Sequence, residues 1–216
     1  MKLAATILIG AMVATKPQST DATLDRAVAA YAKVKTVNAS FTQVVSNPLT
    51  GSSATSRGEM LQMLPGKLSI RFTDPAGDRI VADGKSVWLY LPSSDAKQVV
   101  KLRAGQASTG TPDVMAQFLD SPKSRYAATD GGKASVTGRA AHVLHLVPKE
   151  GGMPFSRATI WVDDGDALVR QFEMTQADGQ TRRVTITKLV VNGPVDASAF
   201  VFVPPKGVTV FDQSSH

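Results

Sequence analysis

Between Ser40 and Leu102 the chain repeats one pattern: short runs in which apolar and polar side chains alternate, cut by turn-forming residues. The runs are "SFTQVVS", "RGEMLQM", "KLSIRF", "DRIVAD" and "SVWLYLP", separated by Pro-Leu-Thr-Gly, Pro-Gly, Asp-Pro and Asp-Gly. A period of two is the signature of a pleated strand with one face on a core, and the turn residues mark reversals between neighbours. The pattern resumes at "ASVTG", "AHVLHLVP", "ATIWVDD", "LVRQFEMT", "RRVTITKLVV" and "FVFVPP", with Asp164-Gly165 and Asp178-Gly179 at further reversals. Roughly ten closely linked strands predict one large antiparallel sheet, and a sheet that wide curls into a barrel-like form rather than lying flat. The 216 residues contain no internal repeat, low-complexity run or linker, so residues 20–216 are expected to form one domain.

Two segments carry a helical period instead. Leu24, Val28, Tyr31, Val34 and Val37 recur at steps of three or four, with Thr20 or Asp21 as the cap and Arg26, Lys33 and Lys35 off the stripe. The stretch "TPDVMAQFLD" has Thr111 as an N-cap, Pro112 at the first helical position and Asp113 at the positive end of the dipole. Its Val114, Met115, Phe118 and Leu119 share a face before Ser121-Pro122 ends the helix. A helix of about three turns is marginal in isolation, so it must lie on an apolar surface. The class is therefore α+β, mainly β.

One strand pair carries more apolar side chains than a single core needs. In "GEMLQMLPGKLSIRF", Gly58 to Phe72, Met60 and Leu64 point one way, Leu61 and Met63 the other, while Leu68, Ile70 and Phe72 line one face. A sheet with one wet face alternates cleanly, and this one does not for half its length. Flexible methionines (Met60, Met63, Met115, Met174) add a surface that adapts to what it touches.

Conventional chemistry finds little support. The chain has no cysteine, which removes disulfides, a thiol nucleophile, thiolate metal sites and a lipid-modified N-terminal cysteine. His142 and His145 fall in an alternating run and so point to opposite faces, unable to share a metal ion. "DDGD", Asp163 to Asp166, reads as a hairpin turn rather than a calcium loop. No nucleophile elbow, phosphate-binding loop or dinucleotide fingerprint occurs, and no enzyme activity is expected. The net charge of +6 is dispersed: Arg57, Lys67, Arg71, Arg79, Lys85, Lys97, Lys101 and Arg103 alternate among strands, and Arg182-Arg183 is the single arginine doublet. That is no nucleic-acid footprint, but it suits contact with anionic membrane faces. At the start, "MKLAATILIGAMVAT" has one lysine and an apolar run too short to span a bilayer, as in a secretory signal peptide over residues 1–19; its cleavage site is not a clean A-x-A, and a buried first strand is the alternative.

Three stretches together resemble one family. "VNASFTQVV" after the first helix, "VADGKSVWLYLP" in the sheet and "VDASAFVFVPPKGVTVFDQ" at the end are similar, in order and spacing, to the periplasmic outer-membrane lipoprotein carriers, LolA. A "TGTP" helix start after the Trp88 strand agrees as well. The resemblance runs from about Leu24 to Gln213 and implies an unclosed antiparallel half-barrel with an α-helical lid over an apolar cavity. It implies a monomeric periplasmic carrier that takes acylated lipoproteins from an inner-membrane lipoprotein-releasing ABC transporter to an outer-membrane lipoprotein acceptor, with no cofactor. On that basis Met60, Leu68, Ile70, Phe72, Trp88 and Tyr90 are expected to line the acyl-chain cavity, and Leu24, Val28, Tyr31, Val114, Met115 and Phe118 to form the lid. The family often has an arginine before the proline equivalent to Pro65, where it latches the lid; here that residue is Leu64, with Arg57 or Arg71 as possible substitutes and apolar contact as the expected main hold. A lipid or lipoprotein sensor of the same fold, and an enzyme acting on lipids, are the competing classes.

Overall fold

In the computed structural model, residues 19–105 and 113–214 are described. The first helix, α1 (Thr20–Tyr31), is capped by Ser19, whose side chain accepts a hydrogen bond from the Ala22 amide. The cap thus lies just before the expected Thr20 or Asp21. Thr23, Leu24 and Ala27 face the core. Val34 and Val37 keep the helical spacing but lie beyond the helix, Val37 already on the first strand, because α1 stops at Tyr31. The expected signal peptide, apart from Ser19, lies outside the described residues, as do Thr111 and Pro112.

Six strands follow as an antiparallel meander: β1 (Thr36–Asn47), β2 (Ser52–Met63), β3 (Lys67–Asp74), β4 (Ala76–Asp83), β5 (Ser86–Tyr90) and β6 (Gln98–Arg103). Two single-turn helices, α2 (Ala116–Leu119) and α3 (Pro122–Arg125), lead into a second meander: β7 (Tyr126–Val136), β8 (Arg139–Pro148), β9 (Arg157–Asp163), β10 (Val169–Thr175) and β11 (Thr181–Val191). Of the helix expected over 111–120, the turn Ala116–Leu119 is α2, and Ser121, in a left-handed conformation with φ 49°, redirects the chain into α3. β11 pairs with β1, so both meanders form one twelve-stranded sheet that ends with β12 (Thr209–Asp212) parallel to β6. β7 and β12 occupy its two ends and do not pair with each other: the curled sheet is an unclosed half-barrel.

The register sorts the side chains. Residues opposite each other across antiparallel strands share a face. Gln62–Leu68–Ala82–Val87 and Met60–Ile70–Ile80–Leu89 therefore lie on one face, with Val37, Ala39 and Phe41 of β1 and Phe172, Ile160 and Leu144 of the second meander. This face carries the helices and the main core. Gly58 belongs to it, and only glycine fits: a Cβ there would stand 2.7 Å from the Arg71 carbonyl oxygen and 2.8 Å from the Phe41 ring.

The opposite face has its own cover. "FVFVPP" was expected to be a strand; instead a 3-10 turn, Ala197–Phe200, runs into an irregular strap across β3 and β4. Phe200 is fully buried there with Val81 and Val99, outside the main core, and Phe202 packs against Trp88 and Tyr90 with ring centroids 5.7 and 6.2 Å away. The surplus apolar side chain Leu61 and the buried Val81 belong to this second layer.

Candidate functional site: an apolar cavity under the helices

Where α1 and α2 lie on the sheet they leave a cavity of about 40 Å³, room for at most a few water molecules. Ala27 and Tyr31 of α1, Met115 and Leu119 around α2, and Val37, Met60, Ile186 and Leu189 of the sheet line it. Ala167 and Leu168 of the β9–β10 turn and Val169 at the start of β10 form a further wall. Gln62, fully buried on the same face, and the Tyr31 hydroxyl bring polar atoms into this otherwise apolar lining.

The expected cavity residues divide. Met60 lines the cavity, and Leu68, Ile70 and Phe72 share its face farther along the sheet, Phe72 edge-on to Phe41 at 5.7 Å. Trp88 and Tyr90 do not. Trp88 pairs with Val81 and Lys101, and Tyr90 with Arg79, which puts both rings on the strap-covered face. Alternation gives two faces but not which one is concave, and the β4–β5 turn sets the phase that sends these rings outward.

The expected lid residues come together on the cavity face. Leu24 is buried at 1% exposure, Val28 and Val114 pack against the core, and Tyr31 and Met115 line the cavity. Phe118, wholly buried, reaches Phe172 and Phe155 at centroid distances of 5.2 and 6.0 Å. Ile186, Leu189 and Val191 also line the cavity, from the alternating run "RRVTITKLVV"; their period was legible, their place beside β1 was not.

Polar ties hold these helices. The Tyr31 hydroxyl donates to the Asp113 side chain, which also accepts from the Met115 and Ala116 amides, each at 3.1 Å. Burial, then the Asp113 hydrogen bond and charge, push the Tyr31 phenol far above its ordinary value. Arg26 donates to the Asp164 carbonyl at 2.8 Å, and Lys123 pairs with Asp25 at 2.7 Å. Tyr126 donates to the Gln117 carbonyl beneath α2. Leu64 packs on the core and its amide donates to the Lys35 carbonyl. Neither arginine weighed as its substitute reaches the helices. Arg57 pairs with Asp74 and Arg71 with Glu59, exposed on the outer face, because their positions alternate with Gly58 and Ile70.

The "DDGD" stretch is the β9–β10 turn. Asp163, 2% exposed, ends β9 and accepts from Arg139, from Arg170 Nε at 3.3 Å and from the Gly165 and Asp166 amides. The Arg139 guanidinium, followed by these amides, holds its carboxyl well below the usual range despite burial. His142 lies 2.8 Å from Asp130, and His145 lies 3.0 Å from Thr159, so the two imidazoles have separate partners.

Residues 32–203 match the sequence profile described as "Outer membrane lipoprotein carrier protein LolA". The chain belongs to the LolA family. It is 32% identical over 182 residues to the outer-membrane lipoprotein carrier protein of Klebsiella pneumoniae (strain 342), covering 84% of this chain and 83% of that one. The Edwardsiella ictaluri (strain 93-146) carrier is 33% identical over 181 residues, with the same coverages. Among solved structures, an uncharacterized conserved protein from Thermus thermophilus shares the fold with a TM-score of 0.56 at 12% identity, over 89% of this chain and 98% of that one. MucB does so with a TM-score of 0.53 at 18% identity, over 86% of this chain and 63% of MucB. In this LolA-family chain no helix among the described residues is long and apolar enough to cross a membrane.

Proposed function

We propose that this LolA-family chain is a periplasmic carrier that binds the acyl chains of lipoproteins on the helix-covered face of its half-barrel. It would receive them from an inner-membrane lipoprotein-releasing ABC transporter and hand them to an outer-membrane acceptor, working as a monomer after removal of a signal peptide within residues 1–19. Met60, Leu68, Ile70 and Phe72 are the sheet residues proposed to meet the acyl chains, and Leu24, Val28, Tyr31, Val114, Met115 and Phe118 the lid. One observation carries the reading: an apolar sheet face is covered by helices that close it down to about 40 Å³.

The energetics favour a carrier over a store. Burial of a methylene is worth about 0.8 kcal/mol, so one chain of about 16 carbons would contribute on the order of 12 kcal/mol in an empty, preformed cavity. Here the lid side chains already occupy most of that space. Cargo displaces them, and its net affinity is the difference between two sets of apolar contacts. That difference keeps cargo transferable. No step requires covalent chemistry.

The test is incubation of the purified protein with inner-membrane vesicles bearing a triacylated lipoprotein and the releasing transporter. A carrier keeps the lipoprotein in solution and passes it to acceptor-bearing membranes. Lipoprotein that stays on the vesicles overturns the reading. Capture without passage favours the alternative, a lipid- or lipoprotein-binding sensor of the same fold.

A further inference from the structure

We propose that the hydrogen bond from the Tyr31 hydroxyl to the Asp113 side chain is the polar clasp of the lid, and that its opening gates entry to the cavity. The inference rests on the carrier reading for its biological meaning but on geometry for its mechanics. The expected latch position holds a leucine, Leu64, packed on the core, and Arg57 and Arg71 are engaged on the opposite face. A polar tie between the two halves of the cover nevertheless exists. Tyr31 is the last residue of α1, and Asp113 stands just before α2.

The position of the pair gives it leverage. Tyr31 and Met115 both line the cavity, and Asp113 holds the Met115 and Ala116 amides as well as the tyrosine hydroxyl. One carboxylate therefore organises the start of α2 and ties it to the end of α1. α1 is fixed to the sheet on its own: Arg26 reaches the Asp164 carbonyl, and Asn192 of the β11 end binds the Lys33 carbonyl and the Lys35 amide. α2 is a single turn, too short to persist unsupported. Its far side is held by Phe118 in the aromatic cluster and by Tyr126 at the Gln117 carbonyl. The half-turn from Asp113 to Met115 has Val114 and Met115 only partly buried, whereas Phe118 and Leu119 of α2 are buried, and the clasp holds it down. When the hydroxyl lets go, Val114 and Met115 swing away from α1, and the cavity opens between Tyr31 and Met115. The hydrogen bond is charge-assisted and part-buried, the kind with the larger net worth.

The absence of cysteine supplies a clean test. Val37→Cys puts a single thiol on the sheet wall of the cavity, at a residue now 6% exposed. Its rate of modification by a maleimide reports how often the lid lifts, without any cargo. Tyr31→Phe in this background keeps the ring and removes the clasp, and labelling should accelerate about tenfold. Ser93→Ala, which removes a hydrogen bond to Asp78 Oδ2 away from the cavity, controls for general loosening and should leave the rate near that of the parent. Equal rates for Tyr31→Phe and the parent overturn the clasp, and so does an equal acceleration by Ser93→Ala. Uptake of a fluorescent fatty-acyl probe is read in parallel. Faster labelling with faster uptake supports clasp and carrier reading together. Faster labelling with no uptake by any variant upholds the clasp as a mechanical device and overturns the acyl-binding reading instead.

Discussion

Removing the Asp163 carboxylate should be among the costliest single changes in this protein. Asp163→Ala removes the buried carboxylate shared by Arg139 and the mostly buried Arg170, leaves Asp166 as their remaining carboxylate, and frees the Gly165 and Asp166 amides; breaking a buried pair costs about 3 kcal/mol. Denaturant unfolding measures that loss. The same residue sets an acid limit. Its folded carboxyl titrates well below the value of about 3.9 for an unfolded aspartate, so the folded chain binds fewer protons. The stability this adds is complete above that value and drains away as the pH falls toward the folded one. Unfolding free energies between about pH 6 and pH 3 should therefore fall more steeply for the parent than for Asp163→Asn. At Leu64, an introduced arginine tests whether a polar latch at this position acts on the lid. Leu64→Arg should alter lipoprotein hand-over; unchanged transfer between membranes counts against a latch at this position.

Elements here owe their form to what covers them. β2 shows this within two adjacent residues: Met60 faces the cavity, and Leu61 faces the strap. Met60→Glu should abolish binding of an acyl probe, whereas Leu61→Glu should leave it intact while loosening the strap; probe titration separates them. Phe202→Ala should uncover Trp88 and Tyr90, shifting tryptophan fluorescence to the red with acyl binding retained. These pairs also mark how far the sequence could be read. Strand runs, turns and the α1 stripe follow from local periodicity and capping, which act over a few residues. The face on which each strand's apolar set lands depends on turn geometry, and so Trp88 and Tyr90, expected in the cavity from the family resemblance, lie under the strap by register. The excess of apolar residues in Gly58–Phe72 was legible; that a distant segment ending "FVFVPP" absorbs part of it was not, because nothing local links the two.

At the scale of the whole molecule, one curled sheet serves two apolar layers, one of helices and one of irregular strap. Truncating Phe118 to alanine tests the boundary between them. It empties the aromatic contacts with Phe155 and Phe172 on the lid side and should cost about 3–5 kcal/mol, readable as a lowered melting temperature. Trp88 emission, on the strap side, should stay unchanged until global unfolding. The β1–β11 pairing has a consequence for how such a chain comes into being. The Lys35 amide finds its partner in Asn192, 157 residues later, and the two meanders are one sheet only through this seam. A ribosome must therefore deliver both meanders before the first strand can complete its ladder. Contacts that distant close slowly. A chain built this way stays threadable until its second meander is made, and its two halves are sealed together by that meander's last strand.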